Sequence, residues 1–354
     1  MNHFLQRLRT RLRRLAGKNA RTVWISHPYF AMHNPGRNHP DSPHRIAAIE
    51  HELKQQGIFK HLQTAEAEEI SDGRLALVHT RNYLQYLENQ TPQPEKIRRI
   101  DDDTVMCSDS LAAARFAAGA VVQAVDMVMQ KKAWNAFCAV RPPGHHAQSG
   151  KGGGFCLLNN VAAGAMHAVS KYRLQRIAVI DFDVHFGDGT AEIFADEPKI
   201  LFFNSFETDL FPFADGQPPH YSDNIVNLPF AAATGSAAFR RAVREKWLPK
   251  LAAFSPELVL FSAGFDAHRE DESGRLNLHE TDFSWLTHKI MHAAARAAGK
   301  IVSVLEGGYT IGSLQKSAAE HIRTLAGLGK SPQAEAYRRQ LAAKEPPSAL
   351  KQAV

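Results

Sequence analysis

The chain has 354 residues, of which 44% are hydrophobic and 22% are charged, a composition typical of a soluble globular protein with a substantial core. No apolar run approaches the eighteen or so residues needed to span a membrane, and no signal-peptide core follows the basic start. The net charge of +6 comes from the N-terminus: residues 1–40 hold eight of the 42 basic residues and no acidic one, so 34 basic residues face 36 acidic ones in residues 41–354. This balance argues against a nucleic-acid-binding surface on the main domain.

Residues 1–20 are predicted to form a basic amphipathic helix. Its leucines recur at three- and four-residue steps with arginines between them, at Leu5, Leu8, Leu12 and Leu15. Such a helix could pack on its own domain or on another subunit, contact an anionic membrane surface through residues 1–18, or serve as an organellar presequence. Three cysteines without metal or redox spacing favour a reducing compartment, so we expect a cytoplasmic protein unless the N-terminus is such a presequence. The oligomeric state stays open.

Apolar runs alternate with helical patterns along the chain. The predicted strands are 22–26, 136–140, 176–180, 200–204, 258–264 and 300–306, and the predicted helices include 43–56, 110–130, 157–171, 236–252 and 281–298. Continuous apolar strands separated by helices indicate an α/β domain with a mostly parallel sheet covered on both faces. We assign this domain to residues 21–329, followed by a polar tail at 330–354.

Four of the predicted strands end in polar or glycine-rich loops. These loops read "RPPGHHAQSGKGGGFC" (141–156), "DFDVHFGDG" (181–189), "AGFDAH" (263–268) and "EGGYT" (306–310). In parallel sheets, ligands bind beyond the carboxyl ends of the strands. We therefore expect these four loops to face one crevice.

The second of these loops contains acids and a histidine at a spacing that suits a metal ion. If the chain stays extended after Ile180, Asp183 and His185 point the same way. Asp266 is the predicted third ligand, which would leave an open position for water. Two carboxylates and an imidazole suit Zn²⁺, although Fe²⁺ or Co²⁺ would also accept them. By itself the D-x-D-x-H pattern also fits a polar turn with helix-capping acids.

Two adjacent histidines, His145 and His146, follow a proline-rigid turn. Each could donate from one ring nitrogen to a carboxylate, with Asp181 and Asp188 available, and turn its other nitrogen towards water at the metal. The glycines at 152–154 permit close approach of the backbone to a ligand. They do not match a phosphate-binding loop, because the glycine spacing is one residue too long and the required Ser/Thr is missing.

Tyr309 could donate a hydrogen bond to a substrate carbonyl and to the oxyanion that forms from it, or it could simply lie half-buried at a turn. Together these parts predict metal-assisted amide hydrolysis. The metal would polarise the carbonyl and activate water, while a histidine would take the proton and pass it to the leaving amine. No serine or cysteine nucleophile is required.

Six motifs resemble those of the histone deacetylase family, which includes bacterial deacetylase-like and acetoin-utilisation members. They are "HPDSPHR" (39–45), "RPPGHHA" (141–147), "GGFCLLNN" (153–160), "DFDVHFGDGT" (181–190), "SAGFDAH" (262–268) and "LEGGY" (305–309). The resemblance covers roughly residues 22–325 and is closer to the class II and bacterial branches than to class I. It implies the arginase–deacetylase fold, a single three-layer α/β domain with a mostly parallel sheet of about eight strands.

The resemblance also implies roles for individual residues. Zn²⁺ would be held by Asp183, His185 and Asp266. His146, paired with Asp188, would be the general base, and His145, paired with Asp181, would act mainly through its charge. Tyr309 would polarise the substrate carbonyl; some class II relatives have histidine at this position and are poor deacetylases, so the tyrosine favours activity.

Further contacts are implied by the same resemblance. Phe155 and Phe211 would line a narrow tunnel for an alkyl-lysine chain, Gly154 would offer its carbonyl, and Asp103 would lie at the rim. A structural K⁺ is implied, held mostly through backbone oxygens near Asp181, Asp183, His185, Ser205 and Phe206. One departure is Phe186, which replaces the second histidine of the usual "DVHHG". That histidine is not a metal ligand in the family, so metal binding should persist while substrate choice could differ.

We therefore expect a metal-dependent deacetylase that removes acetyl or other acyl groups from lysine side chains. An acetylated lysine peptide or protein and an acetylated polyamine are the alternative substrates. A catalytically weak acyl-lysine binding protein is the alternative of another class, which His145, His146 and Tyr309 disfavour. An arginase-like ureohydrolase would need more Asp or His ligands than this sequence supplies.

Overall fold

The computed structural model describes residues 22–214, 218–297 and 300–344. The amphipathic helix predicted for residues 1–20 lies outside the described residues, as does the end of the predicted tail. The domain boundaries at 21 and 329 therefore stay a prediction.

Ten strands occur within the described residues. They are β1 (Val23–Ser26), β2 (Gln63–Glu66), β3 (Arg98–Arg99), β4 (Val105–Met106), β5 (Asn135–Cys138), β6 (Ile177–Asp181), β7 (Ile200–Glu207), β8 (Ile225–Phe230), β9 (Leu258–Ala263) and β10 (Ile301–Leu305). Eight of them form one parallel sheet in the order β2-β1-β5-β10-β9-β6-β7-β8, while β3 and β4 form a short antiparallel pair. The six strands predicted from the sequence are all present.

Helices cover both faces of this sheet. They are α1 (Tyr29–Met32), α2 (His44–Gln55), α3 (Asp72–Leu75), α4 (Arg81–Gln90), α5 (Ser110–Met129), α6 (Asn160–Tyr172), α7 (Asp188–Phe194), α8 (Ser236–Ala242), α9 (Leu248–Phe254), α10 (Glu280–Ala293), α11 (Ile311–Leu325) and α12 (Pro332–Lys344). A π-helical turn, Val243–Trp247, joins α8 to α9. The three-layer α/β architecture expected from the sequence is confirmed.

The two faces of the sheet belong to two separate hydrophobic cores because side chains alternate along each strand. On β9, Leu258 and Leu260 pack in the core that contains α5 and α6, whereas Val259 and Phe261 pack in the core that contains α10 and α11. The central strands β5, β6, β9 and β10 are buried along their whole length. This double burial explains why they are continuous apolar runs in the sequence.

Helix α5 is long and apolar enough to cross a membrane by length and composition, with a mean hydropathy of 1.4 over 20 residues. It packs against α6, β5 and β10, and 61% of that stretch is buried inside the domain. A core helix has the same composition as a spanning one, so its place between the sheet and α6 accounts for its apolar character.

Part of the predicted polar tail is also ordered against the domain. Helix α12 contacts α10. The ring of Tyr337 stacks on His279 with ring centroids 4.0 Å apart, and its hydroxyl lies 2.9 Å from Ser236 Oγ. These contacts place residues 332–344 on the core that contains α10.

Candidate active site

The candidate site lies at the carboxyl ends of four strands that are adjacent in the centre of the sheet, β5, β10, β9 and β6. Residues 141–156 follow β5, residues 306–310 follow β10, residues 264–268 follow β9 and residues 182–188 follow β6. Parallel strands bring their carboxyl ends to the same edge, so loops that are distant in the sequence meet there. All four loops singled out in the sequence contribute side chains to this site.

The loop after β6 does not continue as a strand. Strand β6 ends at Asp181 and the chain bends over residues 183–185, so the expectation of extended backbone beyond Ile180 is wrong. The bend is held by carboxylates: Asp181 Oδ1 accepts the N–H of Asp183 at 3.1 Å, and Asp183 Oδ1 accepts the N–H of His185 at 2.9 Å. These two bonds, rather than strand alternation, bring Asp183 and His185 together.

Asp183, His185 and Asp266 form a compact cluster of potential metal-binding atoms. Each offers one atom, and these atoms all lie within 4.8 Å of one another. His185 Nδ1 lies 2.8 Å from Asp183 Oδ1 and 3.4 Å from Asp266 Oδ2. Among the described residues, Asp266 Oδ2 has no hydrogen-bond partner although it is buried. Because an unpartnered buried carboxylate oxygen is costly, a cation at this point would stabilise the arrangement.

Two glycines make room for the carboxylates of this cluster. A Cβ on Gly264 would lie 2.0 Å from Asp183 Oδ2, and a Cβ on Gly307 would lie 1.9 Å from Asp266 Oδ2. The backbone N–H of Gly307 also donates to Asp183 Oδ2 at 2.8 Å. Any side chain at either position would displace a potential ligand, so the donor set depends on glycine there.

The two histidines of "GHH" each contact one carboxylate, in the pairing that the resemblance implies. His145 Nδ1 lies 3.0 Å from Asp181 Oδ2, and His146 Nδ1 lies 2.7 Å from Asp188 Oδ1. Their rings are adjacent, with centroids 4.0 Å apart. A carboxylate partner fixes the orientation of each imidazole and makes its other nitrogen a better proton acceptor.

The surroundings give these two histidines different protonation behaviour. Burial alone would lower the pKa of His145, but the carboxylates of Asp183 and Asp181 outweigh it and raise this pKa well above its ordinary value. Burial, followed by the neighbouring charge on His145, lowers the pKa of His146 to about 4. His146 is therefore the member of the pair that is neutral near pH 7 and able to accept a proton.

Two residues that the sequence analysis assigned no role hold this histidine pair. Glu306 is fully buried, and its Oε2 accepts the N–H of Gly144 at 2.6 Å and that of His145 at 3.2 Å. Burial raises the pKa of Glu306 to about 7. Gln148 donates from Nε2 to Asp188 Oδ2 at 2.9 Å, which occupies the second oxygen of the carboxylate that contacts His146. Both belong to the quoted motifs or follow them directly, yet only their tertiary contacts show what they do.

Tyr309 is positioned from both its backbone and its ring. Asp271 Oδ2 accepts the N–H groups of Tyr309 and Thr310 at 2.8 and 2.9 Å. The guanidinium of Arg45 lies 4.7 Å from the centre of the Tyr309 ring, a cation–π contact, and Arg45 Nη1 donates to the buried Asp41 at 2.9 Å. Arg45 and Asp41 belong to the motif "HPDSPHR", to which the sequence alone gave no function.

The proposed tunnel residues surround these groups. The rings of Phe155 and Tyr309 meet edge-on with centroids 5.6 Å apart, and those of Phe211 and His146 do so at 5.0 Å. Gly154 has a φ of +53°, and a Cβ there would lie 2.3 Å from the His146 ring. The glycine thus lets the backbone approach the imidazole closely.

Asp103 lies on the loop that packs against this wall. Its backbone carbonyl lies 3.0 Å from His39 Nε2, and its carboxylate accepts the hydroxyl of Thr104 at 3.2 Å. The hydroxyl oxygen of Thr104 in turn accepts the N–H of Phe155 at 3.0 Å. The carboxylate of Asp101, two residues earlier, lines a cavity beside His146.

The residues named for a potassium site lie on two neighbouring strands and the loop between the sheet and α7. Ser205 Oγ donates to the backbone carbonyl of Asp181 at 3.4 Å. Ser205 and Phe206 belong to β7, which pairs with β6. The residues named for the potassium site are therefore neighbours in the structure.

Phe186, which follows the candidate ligand His185, is buried in the hydrophobic core. It is 2% exposed and packs against three other aromatic rings, Phe206, Phe213 and Tyr221, with centroid distances of 5.0, 5.5 and 5.9 Å. Its side chain is therefore part of the core, where a histidine would be surrounded by apolar rings.

Comparison with known proteins identifies the family. Residues 39–325 match the model of the histone deacetylase domain. Histone deacetylase 6 of Caenorhabditis elegans is 34% identical over 299 residues, which cover 79% of this chain and 31% of that protein. Polyamine deacetylase HDAC10 of Mus musculus is 36% identical over 301 residues, which cover 81% and 45%. The chain thus spans less than half the length of these two curated relatives.

Two further comparisons extend over nearly the whole of both proteins. A probable deacetylase of Archaeoglobus fulgidus is 32% identical over 316 residues, which cover 87% of each chain. The crystal structure of the HDA15 HD domain superposes with a TM-score of 0.81 at 29% identity, covering 89% of this chain and 92% of that one. With the matched family model, the eight-stranded parallel sheet and the six motifs in order, the chain belongs to the histone deacetylase family and has the arginase–deacetylase fold.

Proposed function

We propose that this protein is a zinc-dependent amide hydrolase that removes acetyl groups from lysine side chains. The observation that carries this proposal is the cluster Asp183, His185 and Asp266 lying beside a neutral, carboxylate-bound His146 and the phenol of Tyr309. Metal-assisted amide hydrolysis needs these three elements: a Lewis acid site, a base and a donor for the oxyanion.

The cluster suits Zn²⁺ in its donor set. Two carboxylates and one imidazole, with one buried carboxylate oxygen unpartnered, fit an ion that keeps an open position. Zn²⁺ would supply polarisation of the substrate carbonyl and activation of water, and Fe²⁺ or Co²⁺ would be accepted by the same ligands. A structural K⁺ near Asp181, Asp183, His185, Ser205 and Phe206 is part of the same proposal, supported by the position of these residues on the paired strands β6 and β7 and on the loop after β6.

His146 acts as the general base in this proposal. With its Nδ1 held by Asp188, its Nε2 accepts the proton from the attacking water and then gives it to the leaving amine. Asp188 stabilises the imidazolium that forms, and Gln148 keeps that carboxylate in place. His145, charged through its contact with Asp181, favours the negative charge that develops on the substrate.

Tyr309 provides the hydrogen bond to the carbonyl oxygen. Burial raises the pKa of its phenol well above the ordinary value, so the hydroxyl stays protonated and able to donate across the working pH range. Phe155 and Phe211 would form apolar walls for a methylene chain, and the Gly154 carbonyl would accept the amide N–H of the substrate. These contacts fit an acylated amine at the end of a long alkyl chain.

An acetylated polyamine is the second candidate substrate, because several relatives are named polyamine deacetylases. A tunnel with apolar walls accepts either chain, so the site itself leaves both open. A catalytically weak acyl-lysine binding protein would not need the two His–Asp pairs or the tyrosine, and their presence argues for turnover.

The test is hydrolysis of an acetyl-lysine peptide and of acetylated polyamines, side by side, by the zinc-loaded protein. A parallel sample treated with a chelator serves as the control. We expect chelator-sensitive release of acetate from the peptide. Turnover of the polyamine alone would assign the protein to small-molecule metabolism, and silence on both by folded, zinc-loaded protein would support the binding-protein alternative.

A further inference from the structure

A cavity of about 540 Å³ lies beside His146, and most of its lining residues take no part in the steps above. Helix α4 forms one side through Tyr83 and Tyr86, the glycine-rich loop 150–153 forms another, and Phe211 closes a third. His146 lies at its base. Since Phe211 and His146 also border the proposed tunnel, the cavity and the tunnel share a wall.

The apolar part of this cavity consists of the rings of Tyr83, Tyr86 and Phe211, together with Ile100 and Pro212. The rings of Tyr83 and Tyr86 lie nearly parallel, with centroids 6.4 Å apart, and Phe211 stands edge-on to His146. Tyr86 and Phe211 are 41% and 39% exposed, which places both among the large hydrophobic side chains that the described surface leaves open. Exposed aromatic rings that border one cavity favour an apolar group beside them.

The polar groups deep in the cavity are already paired within the protein. The hydroxyl of Tyr83 donates to the Leu157 carbonyl at 2.7 Å, and both oxygens of Asp188 accept hydrogen bonds, from His146 and Gln148. A polar ligand would therefore lose water without gaining partners. The lining holds two acidic side chains, Asp101 and Asp188, and one basic side chain, Lys151, and the carboxylate of Asp188 is already bound by His146 and Gln148.

We propose that this cavity binds an aromatic side chain of the peptide that carries the acyl-lysine, at a position within two residues of that lysine. The inference rests on the proposed function. An extended peptide advances about 3.3 Å per residue, so a neighbour one or two positions away reaches across the shared wall at Phe211. A linear polyamine has no ring to place there. The cavity thus selects peptides over polyamines and ring-bearing peptides over others.

Glycine at position 150 offers a way to fill the cavity. A Cβ on Gly150 would meet no atom within 4 Å, whereas one on Gly152 would lie 2.7 Å from the Tyr83 hydroxyl oxygen. Gly150→Leu therefore adds a side chain to the cavity lining without a clash at its Cβ, and Tyr86→Ala removes one ring of the lining. Gly73→Leu, at an exposed glycine of α3 that also has nothing within 4 Å, is the matched control.

The experiment compares kcat/KM for acetyl-lysine peptides that carry tryptophan or alanine at the −2, −1, +1 or +2 position, using the zinc-loaded protein. We expect a preference for tryptophan of about tenfold or more at one position, the size that one well-filled apolar pocket provides. Gly150→Leu and Tyr86→Ala should each reduce it to about twofold or less, and Gly73→Leu should leave it unchanged. Binding of the same peptides to Tyr309→Phe, measured by fluorescence anisotropy, should show the same ranking.

The outcomes separate this inference from the function on which it rests. Turnover of all the peptides with no tryptophan preference, or a preference that survives in both cavity variants, would overturn the aromatic subsite alone. If the protein neither hydrolyses nor binds any acetyl-lysine peptide, the deacetylase proposal fails and the subsite fails with it. A tryptophan preference in binding without turnover would support the subsite and contradict only the catalytic step.

Discussion

Glu306 accepts the backbone N–H of Gly144 at 2.6 Å, so the end of β10 holds the turn that leads into His145 and His146. The same oxygen accepts the N–H of His145, and the other oxygen accepts the hydroxyl of Ser262 at 3.1 Å. Three separate strand ends, those of β5, β9 and β10, are thereby tied together by one buried carboxyl group. The backbone at the start of the histidine pair is held by Glu306, while Asp181 and Asp188 hold the two rings.

Glu306→Ala should impair both folding and catalysis. It leaves two buried N–H groups without an acceptor, so we expect the free energy of unfolding to fall by about 2–3 kcal/mol in urea denaturation. Turnover should fall mainly through kcat, because the histidines lose their support while the tunnel remains. Glu306→Gln keeps an acceptor oxygen and should recover most of both. Equal kinetics for the alanine and glutamine variants would show that the carboxyl group does not position the pair.

Tyr309→Phe should cut turnover by on the order of a hundredfold or more, the loss expected for one oxyanion donor. The zinc content should not change, because the phenol is not among the three proposed ligands. Kinetics with an acetyl-lysine peptide and elemental analysis of the same sample check both parts. Tyr29→Phe, at an exposed ring, is the control. Full activity in the Tyr309 variant would remove its assigned role.

Asp266→Ala should lose metal as well as activity. It removes the buried carboxylate whose Oδ2 is unpartnered in the structure, together with one of only three donors in the described cluster. Asp223→Ala, at a fully exposed aspartate, should keep stoichiometric zinc. Element-specific mass spectrometry after dialysis measures the difference. A variant at position 266 that retained one zinc ion per chain would show that the ligand set is wrong.

His321 should make folding stability depend on pH. Its ring nitrogens lie 2.6 Å from the Thr287 hydroxyl and 2.8 Å from that of Ser303, and burial lowers the pKa of this histidine to about 3. The unfolded chain binds the proton near pH 6.5, so the stabilising contribution is complete above that pH and is lost as the pH falls towards 3.

The size of this effect follows from linkage. Between pH 7 and pH 5, the free energy of unfolding should decrease by about 2 kcal/mol more in the unmodified protein than in His321→Gln. Chemical denaturation at the two pH values measures the difference, with His61→Gln at an exposed position as the control. Identical pH dependence in unmodified protein and His321→Gln would contradict the assignment.

Phe186→His should destabilise the protein without changing its metal content. The imidazole would lie among three aromatic rings in a position that is 2% exposed, so it would exchange water for mainly apolar surroundings. We expect the free energy of unfolding to decrease by about 1–3 kcal/mol. Thermal and urea unfolding check the first part, and zinc analysis checks the second. An increase in bound metal would instead make position 186 part of the metal site.

The central strands were predictable because they are buried on both faces and therefore consist of unbroken runs of apolar residues. The two edge strands of the sheet were not: β2 reads "QTAE" and is largely exposed, while β8 contains Pro229, which normally argues against a strand. One side of an edge strand pairs with no other strand. Both its β propensity and its hydrophobic pattern can therefore be weaker than those of a central strand.

In the candidate site, most features that depend on neighbouring residues were predictable, and most features that depend on distant residues were not. Asp183 and His185 could be found because they share one short motif, and the strand-end rule placed Asp266 near them. The bend at residues 183–185 was not foreseen, since it depends on carboxylates turning back to their own backbone. The hydrogen bond from the Gly144 N–H to Glu306 joins residues that are 162 positions apart, and no local sequence pattern predicts such a contact.

The position of β10 in the sheet has a consequence for a shortened chain. It is the last strand among the described residues, yet it lies between β5 and β9, which are not paired with each other. A chain that stops before residue 300 therefore lacks the strand that joins β5 to β9, and it lacks the loop that carries Gly307 and Tyr309. Its sheet is incomplete in the middle rather than at an edge, and part of the candidate site is missing with it.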